Sequence, residues 1–81
     1  MIYKVPLVLE PQPEGGFTVT SPVLPELLTE GDTMEAALAN AQDALAAVLE
    51  AYHDLGRKLP ANVSLPDPDA AIWLETLIAT P

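Results

Sequence analysis

An 81-residue chain of 8.6 kDa has room for one small domain, and the absence of cysteine excludes both a disulfide scaffold and a thiolate metal site. With 49% apolar residues and a mean hydropathy of +0.24, the chain is too apolar to be disordered. Twelve acidic residues against three basic ones (Lys4, Arg57, Lys58) give a net charge of -9, which argues against direct nucleic-acid binding and favours a basic protein partner. No apolar run approaches the roughly 20 residues needed to span a bilayer, and the first nine residues lack the pattern of a signal peptide. Cytoplasm is the expected location.

Residues 2–10 are rich in Val, Ile, Leu and Tyr and read as a first strand, closed by the breaker cluster Pro11, Gln12, Pro13, Glu14, Gly15 and Gly16. Pro6 suits an edge strand, where its missing N–H breaks no ladder bond. In residues 17–21, Phe17 and Val19 alternate with Thr18 and Thr20, so the Gly15-Gly16 segment reads as a hairpin loop. A short third strand is expected over residues 26–30, after the turn at Pro22 to Pro25. From Asp32 the period lengthens: Met34, Leu38, Ala41, Leu45, Val48, Leu49, Tyr52 and Leu55 follow the three-and-four spacing of an amphipathic helix. Asp32 reads as its N-cap, with Glu35 placed to close a capping box and Thr33 as the alternative cap, and Gly56 as its left-handed terminator, with Arg57 and Lys58 beside the negative helix end. Residues 59–68 form a proline-interrupted connection. Residues 70–80 fit a short helix after Asp69 or a strand; the strand is taken, because a three-stranded sheet on one helix gains most from a fourth. The expected fold is therefore α+β, an antiparallel sheet in the order β-β-β-α-β packed on one long helix.

Opposite the apolar stripe the helix carries Glu35, Asp43, Glu50 and Asp54 in one arc, an acidic strip that is either a solvated face or a docking surface for a basic protein. His53 is the sole histidine, and nothing in its spacing to Asp54, Ser21 or Ser64 builds a nucleophilic or metal site, so it reads as a surface residue. Asp67-Pro68-Asp69 offers too few oxygens for calcium and reads as a turn. Gly15-Gly16 precedes a strand rather than a helix and is no phosphate cradle. No catalytic residue, metal ligand or cofactor site is expected. Trp73, the largest apolar side chain, reads as either core or interface; a sheet with one helix leaves one face uncovered, and Ile72, Trp73 and Leu74 are the candidate interface of a homo-oligomer.

The series Gly16-Phe17, Pro22, Leu24-Pro25, Thr29, Gly31-Asp32-Thr33, Glu35-Ala36, Asn40-Ala41, Ala44, Gly56 and Pro60 resembles, in order and spacing, the core domain of HicB-type antitoxins over residues 2–60. The resemblance implies a partial ribonuclease-H-like fold without nuclease chemistry. It also implies a function: neutralising a small, basic, messenger-RNA-cleaving toxin of HicA type by covering it. Glu26 and Leu27 stand where the family favours Gly and Cys, so no role of that Cys carries over. About twenty residues follow Pro60, too few for a separate DNA-binding domain, and residues 1–81 are expected to form one HicB-like domain. The alternative is an orphan oligomeric domain that senses or scaffolds something other than a toxin. A metal-dependent nuclease is disfavoured, because the strands supply only Glu10, Glu26, Glu30 and Glu75, mostly at their ends.

Overall fold

The computed structural model describes residues 2–61, 63, 69–78 and 80. Strands β1 (Val8–Pro11), β2 (Phe17–Thr20) and β3 (Leu28–Gly31) are followed by one helix, α1 (Met34–Asp54). The sheet is antiparallel with order β1-β2-β3, and its register pairs Leu9 with Val19 and Val19 with Thr29. The α+β architecture read from the sequence is the one adopted.

The β1–β2 hairpin shows why the breaker cluster turns the chain. Gly15 N–H donates to the Gln12 carbonyl at 2.9 Å, and Gln12 N–H donates to the Gly16 carbonyl at 3.0 Å. Pro13 presets the first turn position, and Gly15 at φ +100° supplies the left-handed residue of a three-residue loop. β1 begins later than expected: Pro6 lies before it, and Pro11 is its last residue. The physical logic stands, because β1 is an edge strand and the alternation of ladder bonds turns the nitrogen of Pro11 away from β2. β3 is likewise displaced to Leu28–Gly31, because Pro25 and Glu26 form a turn and Leu27 drops into the core.

Val19, Leu27, Ala37 and Ala41 are buried together, with Leu7, Leu9, Phe17, Ala44 and Leu45 packed around them. Gly31 is what lets the helix sit this close to β3. A Cβ there would lie 2.3 Å from the Ala37 nitrogen and 2.7 Å from the Ala36 carbonyl carbon, so only glycine fits. The helix starts one residue later than expected, with Thr33 as N-cap: its Oγ1 accepts from Ala36 N–H at 3.1 Å. Asp32 therefore does not cap, and the capping box with Glu35 does not form, because the third helical position is Ala36. At the other end Gly56 takes φ +65°, its N–H donates to the His53 carbonyl, and Arg57 N–H donates to the Tyr52 carbonyl. These two bonds make the Schellman termination that Gly56 implied.

The expected fourth strand is corrected. Residues 71–78 and 80 are neither strand nor helix, and Trp73 is 84% exposed rather than core. What meets the N-terminal segment after the helix lies earlier: Lys4 N–H donates to the Val63 carbonyl at 2.7 Å, and Val63 is buried. The returning chain thus uses Val63 against the N-terminal segment, and the later apolar run is left over. Most of the expected turn at Asp67-Pro68-Asp69 lies outside the described residues.

Candidate functional site

The helix separates two faces by its period. Ala37, Ala41 and Tyr52 are its buried residues, and at about 100° per residue Glu35, Asp43, Glu50 and Asp54 fall within an arc of about 100° on the other side. All four carboxylates are exposed, and the strip they form runs for about 28 Å at a rise of 1.5 Å per residue. Ala39 and Ala46 lie in the same arc and are exposed, so small side chains separate the acids and leave the face low in relief. His53 and Gln42 flank it, both exposed. The sequence-predicted residues are therefore brought onto one solvent-facing surface of one element. Ile72, Trp73 and Leu74 are exposed as well, but on the C-terminal segment rather than the helix.

Beside the C-terminal half of this strip lies a shallow concavity of about 230 Å³, lined by Ala47, Val48, Ala51 and Leu55 and rimmed by Glu26, Tyr52 and Arg57. The rim is built by three residues distant in sequence. The Tyr52 hydroxyl donates to the Glu26 carboxylate, 3.0 Å from each oxygen, and Arg57 Nη1 lies 3.3 Å from Glu26 Oε1. The guanidinium also sits 4.4 Å from the centroid of the Tyr52 ring, a cation–π contact. Glu26's carboxyl is held below its ordinary value of 4.5, first by a hydrogen bond from its own backbone; desolvation opposes this as the next-largest effect, and Tyr52 and Arg57 add to the lowering. Burial pushes the Tyr52 phenol above 10.0, and the hydrogen bond to Glu26 adds to it.

The Glu26, Tyr52 and Arg57 cluster is absent from the sequence reading. Two signals pointed to it: a tyrosine on the buried stripe needs a partner for its hydroxyl, and Glu26 occupies a turn where the resembling family favours glycine. Among the described residues no group of three or more His, Asp or Glu side chains is placed to hold a metal ion, and no helix is long and apolar enough to cross a membrane. The surface offers four exposed carboxylates on one helix face, beside a shallow apolar groove rimmed by Glu26, Tyr52 and Arg57. It is suited to lysine and arginine side chains, whose charged heads can reach the acids while their alkyl stems lie along the alanines.

The chain matches the model of a family described as "HicB_like antitoxin of bacterial toxin-antitoxin system" over residues 5–79. It is 47% identical over 57 residues to Antitoxin HicB 1 of Photorhabdus laumondii, covering 70% of this chain and 37% of that one. It is 37% identical over 77 residues to Antitoxin HicB of Escherichia coli K12, covering 95% of this chain and 56% of that one. A third relative, Antitoxin HicB 2 of Photorhabdus laumondii, is 41% identical over 76 residues and covers 83% and 55%. The chain thus spans between 37% and 56% of the length of these curated relatives.

Proposed function

This chain belongs to the HicB-like antitoxin family, and from that premise we propose that it binds a small basic toxin of HicA type and masks it, without catalysing a reaction itself. The observation that carries this reading is the placement of Glu35, Asp43, Glu50 and Asp54 on the exposed side of α1, opposite the buried stripe. A net charge of -9 gives the whole molecule a field that draws in a basic partner, and the strip gives that partner a register. The apolar concavity beside the strip supplies the desolvated contact that a purely electrostatic encounter lacks. Inhibition is steric: a toxin that must present its basic surface to RNA cannot do so while that surface lies against α1. The site of action is the cytoplasm, where messenger RNA is cleaved, and the chain needs neither a cofactor nor direct contact with nucleic acid.

The test is a protection assay. A HicA-type ribonuclease is incubated with messenger RNA and increasing amounts of this chain. The reading requires cleavage to cease near equimolar amounts and the chain alone to leave RNA intact with magnesium or manganese. Full cleavage at large excess refutes it in favour of an orphan scaffold domain, and cleavage by the chain alone refutes the non-enzymatic reading.

A further inference from the structure

Residues 71–78 (Ala-Ile-Trp-Leu-Glu-Thr-Leu-Ile) have no secondary structure and leave Ile72, Trp73, Leu74, Leu77 and Ile78 exposed. The segment has no proline, one charge, and an abundance of the branched and aromatic side chains that suit a pleated surface. A sheet of order β1-β2-β3 has two edges that could receive it. The β1 edge is closed to a new strand: Pro11, whose nitrogen faces outward, cannot donate, and Lys4, just before the strand, is already bonded to Val63. The β3 edge, Leu28–Gly31, is free of proline.

The hairpin bonds fix which backbone groups point out of that edge. Because Gln12 bonds Gly16, the alternation of the ladder turns Thr18 and Thr20 toward β1 and Phe17 and Val19 toward β3. Thr29 and Gly31 then bond β2, while Leu28 and Glu30 present their backbone groups outward. Asn40 Nδ2 confirms the direction by donating to the outward Glu30 carbonyl at 2.8 Å. Among the described residues, the outward N–H and C=O of Leu28 and the N–H of Glu30 remain at the edge, beside a Leu28 side chain that is 71% exposed.

We propose that residues 71–78 of one copy add as a strand to the β3 edge of a second copy, and that the exchange is reciprocal. A second copy is the occupant that the areas fit. The exposed parts of the five apolar side chains amount to roughly 600 Å² per chain; a strand turns alternate side chains to one face, so about half of that is buried, and two exchanged segments with the surfaces that receive them bury roughly 1,400 Å², within the range of a stable interface. Reciprocal exchange also closes: each chain gives one segment and offers one proline-free edge, so both are used and no open fibre forms. Charge makes the assembly distinguishable from toxin binding. Two copies of net charge -9 repel, so salt strengthens this dimer, whereas salt weakens docking of a basic partner on the α1 strip.

Sedimentation equilibrium of the full chain over micromolar concentrations, at low and high salt, tests this together with Trp73 fluorescence, the chain having a single Trp. The expected result is a species of twice 8.6 kDa that tightens with salt, with Trp emission moving to the blue as the dimer forms. Leu28→Pro removes an outward N–H together with the exposed Leu28 side chain, and Leu28→Lys places a charge at the edge; each weakens dimerisation by at least about tenfold while the helix signal in circular dichroism persists. Leu28→Lys carries the test if the proline variant does not fold. A monomer with solvent-exposed Trp emission at every concentration and salt overturns the proposal. So does a dimer indifferent to Leu28→Lys, one that weakens with salt, or a blue shift that needs an added basic polypeptide.

Discussion

The apolar stripe of α1 and the apolar run at residues 71–78 look equally core-like as strings of residues, yet the fold treats them oppositely. Ala37 and Ala41 are fully buried against β2 and β3, and Tyr52 is 6% exposed, whereas Trp73 at the other end of the chain is 84% exposed. The difference lies in what each can pack against. The helix has a sheet face waiting for it, a glycine at the closest approach and defined caps at both ends. The C-terminal run arrives after Val63 has met the N-terminal segment. Apolar content alone therefore does not assign a segment to the core; an unoccupied complementary surface within the chain does.

Substitutions at the two places should differ in proportion. Gly31→Ala forces a methyl into the backbone of the first helical turn, which no side-chain movement relieves, and should destabilise the fold by about 3 kcal/mol. Trp73→Ala, measured at a concentration low enough to keep the chain monomeric, should change stability by no more than about 0.5 kcal/mol. Urea denaturation followed by circular dichroism checks both. A large loss for Trp73→Ala would show that the C-terminal segment packs on its own chain, and the contrast would fail.

A smaller effect sharpens the description of the helix end. Glu26's folded pKa lies below 4.5, so its contribution to stability is present above the ordinary carboxylate range and is lost as pH falls through the folded value. Tyr52 has a folded pKa above 10.0, so its contribution is present below that and is lost as pH rises through the folded value. Solvent screens the Glu26–Arg57 pair, with side chains 36% and 52% exposed, which keeps the effect modest. Denaturation of the native chain and of Glu26→Gln across the acid range should give curves that converge as pH falls below the Glu26 pKa. Parallel curves would mean that the carboxylate does not hold the helix end.

Features that rest on local chemistry were legible in the sequence. The turn proline and glycine of the hairpin, the alternation of Phe17 and Val19, the three-and-four spacing of the helix and the left-handed Gly56 each act within a few residues, and each appears in the fold. The acidic strip was legible too, because helical period alone places four carboxylates on one face. Features that depend on distant parts of the chain were not. Whether Asp32 or Thr33 caps depends on where β3 hands the chain to the helix. The Glu26, Tyr52 and Arg57 cluster joins residues 26 to 31 positions apart. The fate of residues 70–80 depended on Val63, a residue in a connection that the pattern marked only as proline-interrupted.

The central claim is that the acidic face of α1 receives a basic partner, and the rate of association tests it most directly. Stopped-flow mixing of a HicA-type toxin with the native chain and with a variant carrying Asp43→Lys and Glu50→Lys, each at two ionic strengths, separates steering from contact. The account predicts an association rate that falls as salt rises, and a rate about tenfold lower for the charge-reversed variant at low salt, with its fold unchanged. A rate indifferent both to salt and to the reversal would contradict it and leave α1 with a merely solvated face.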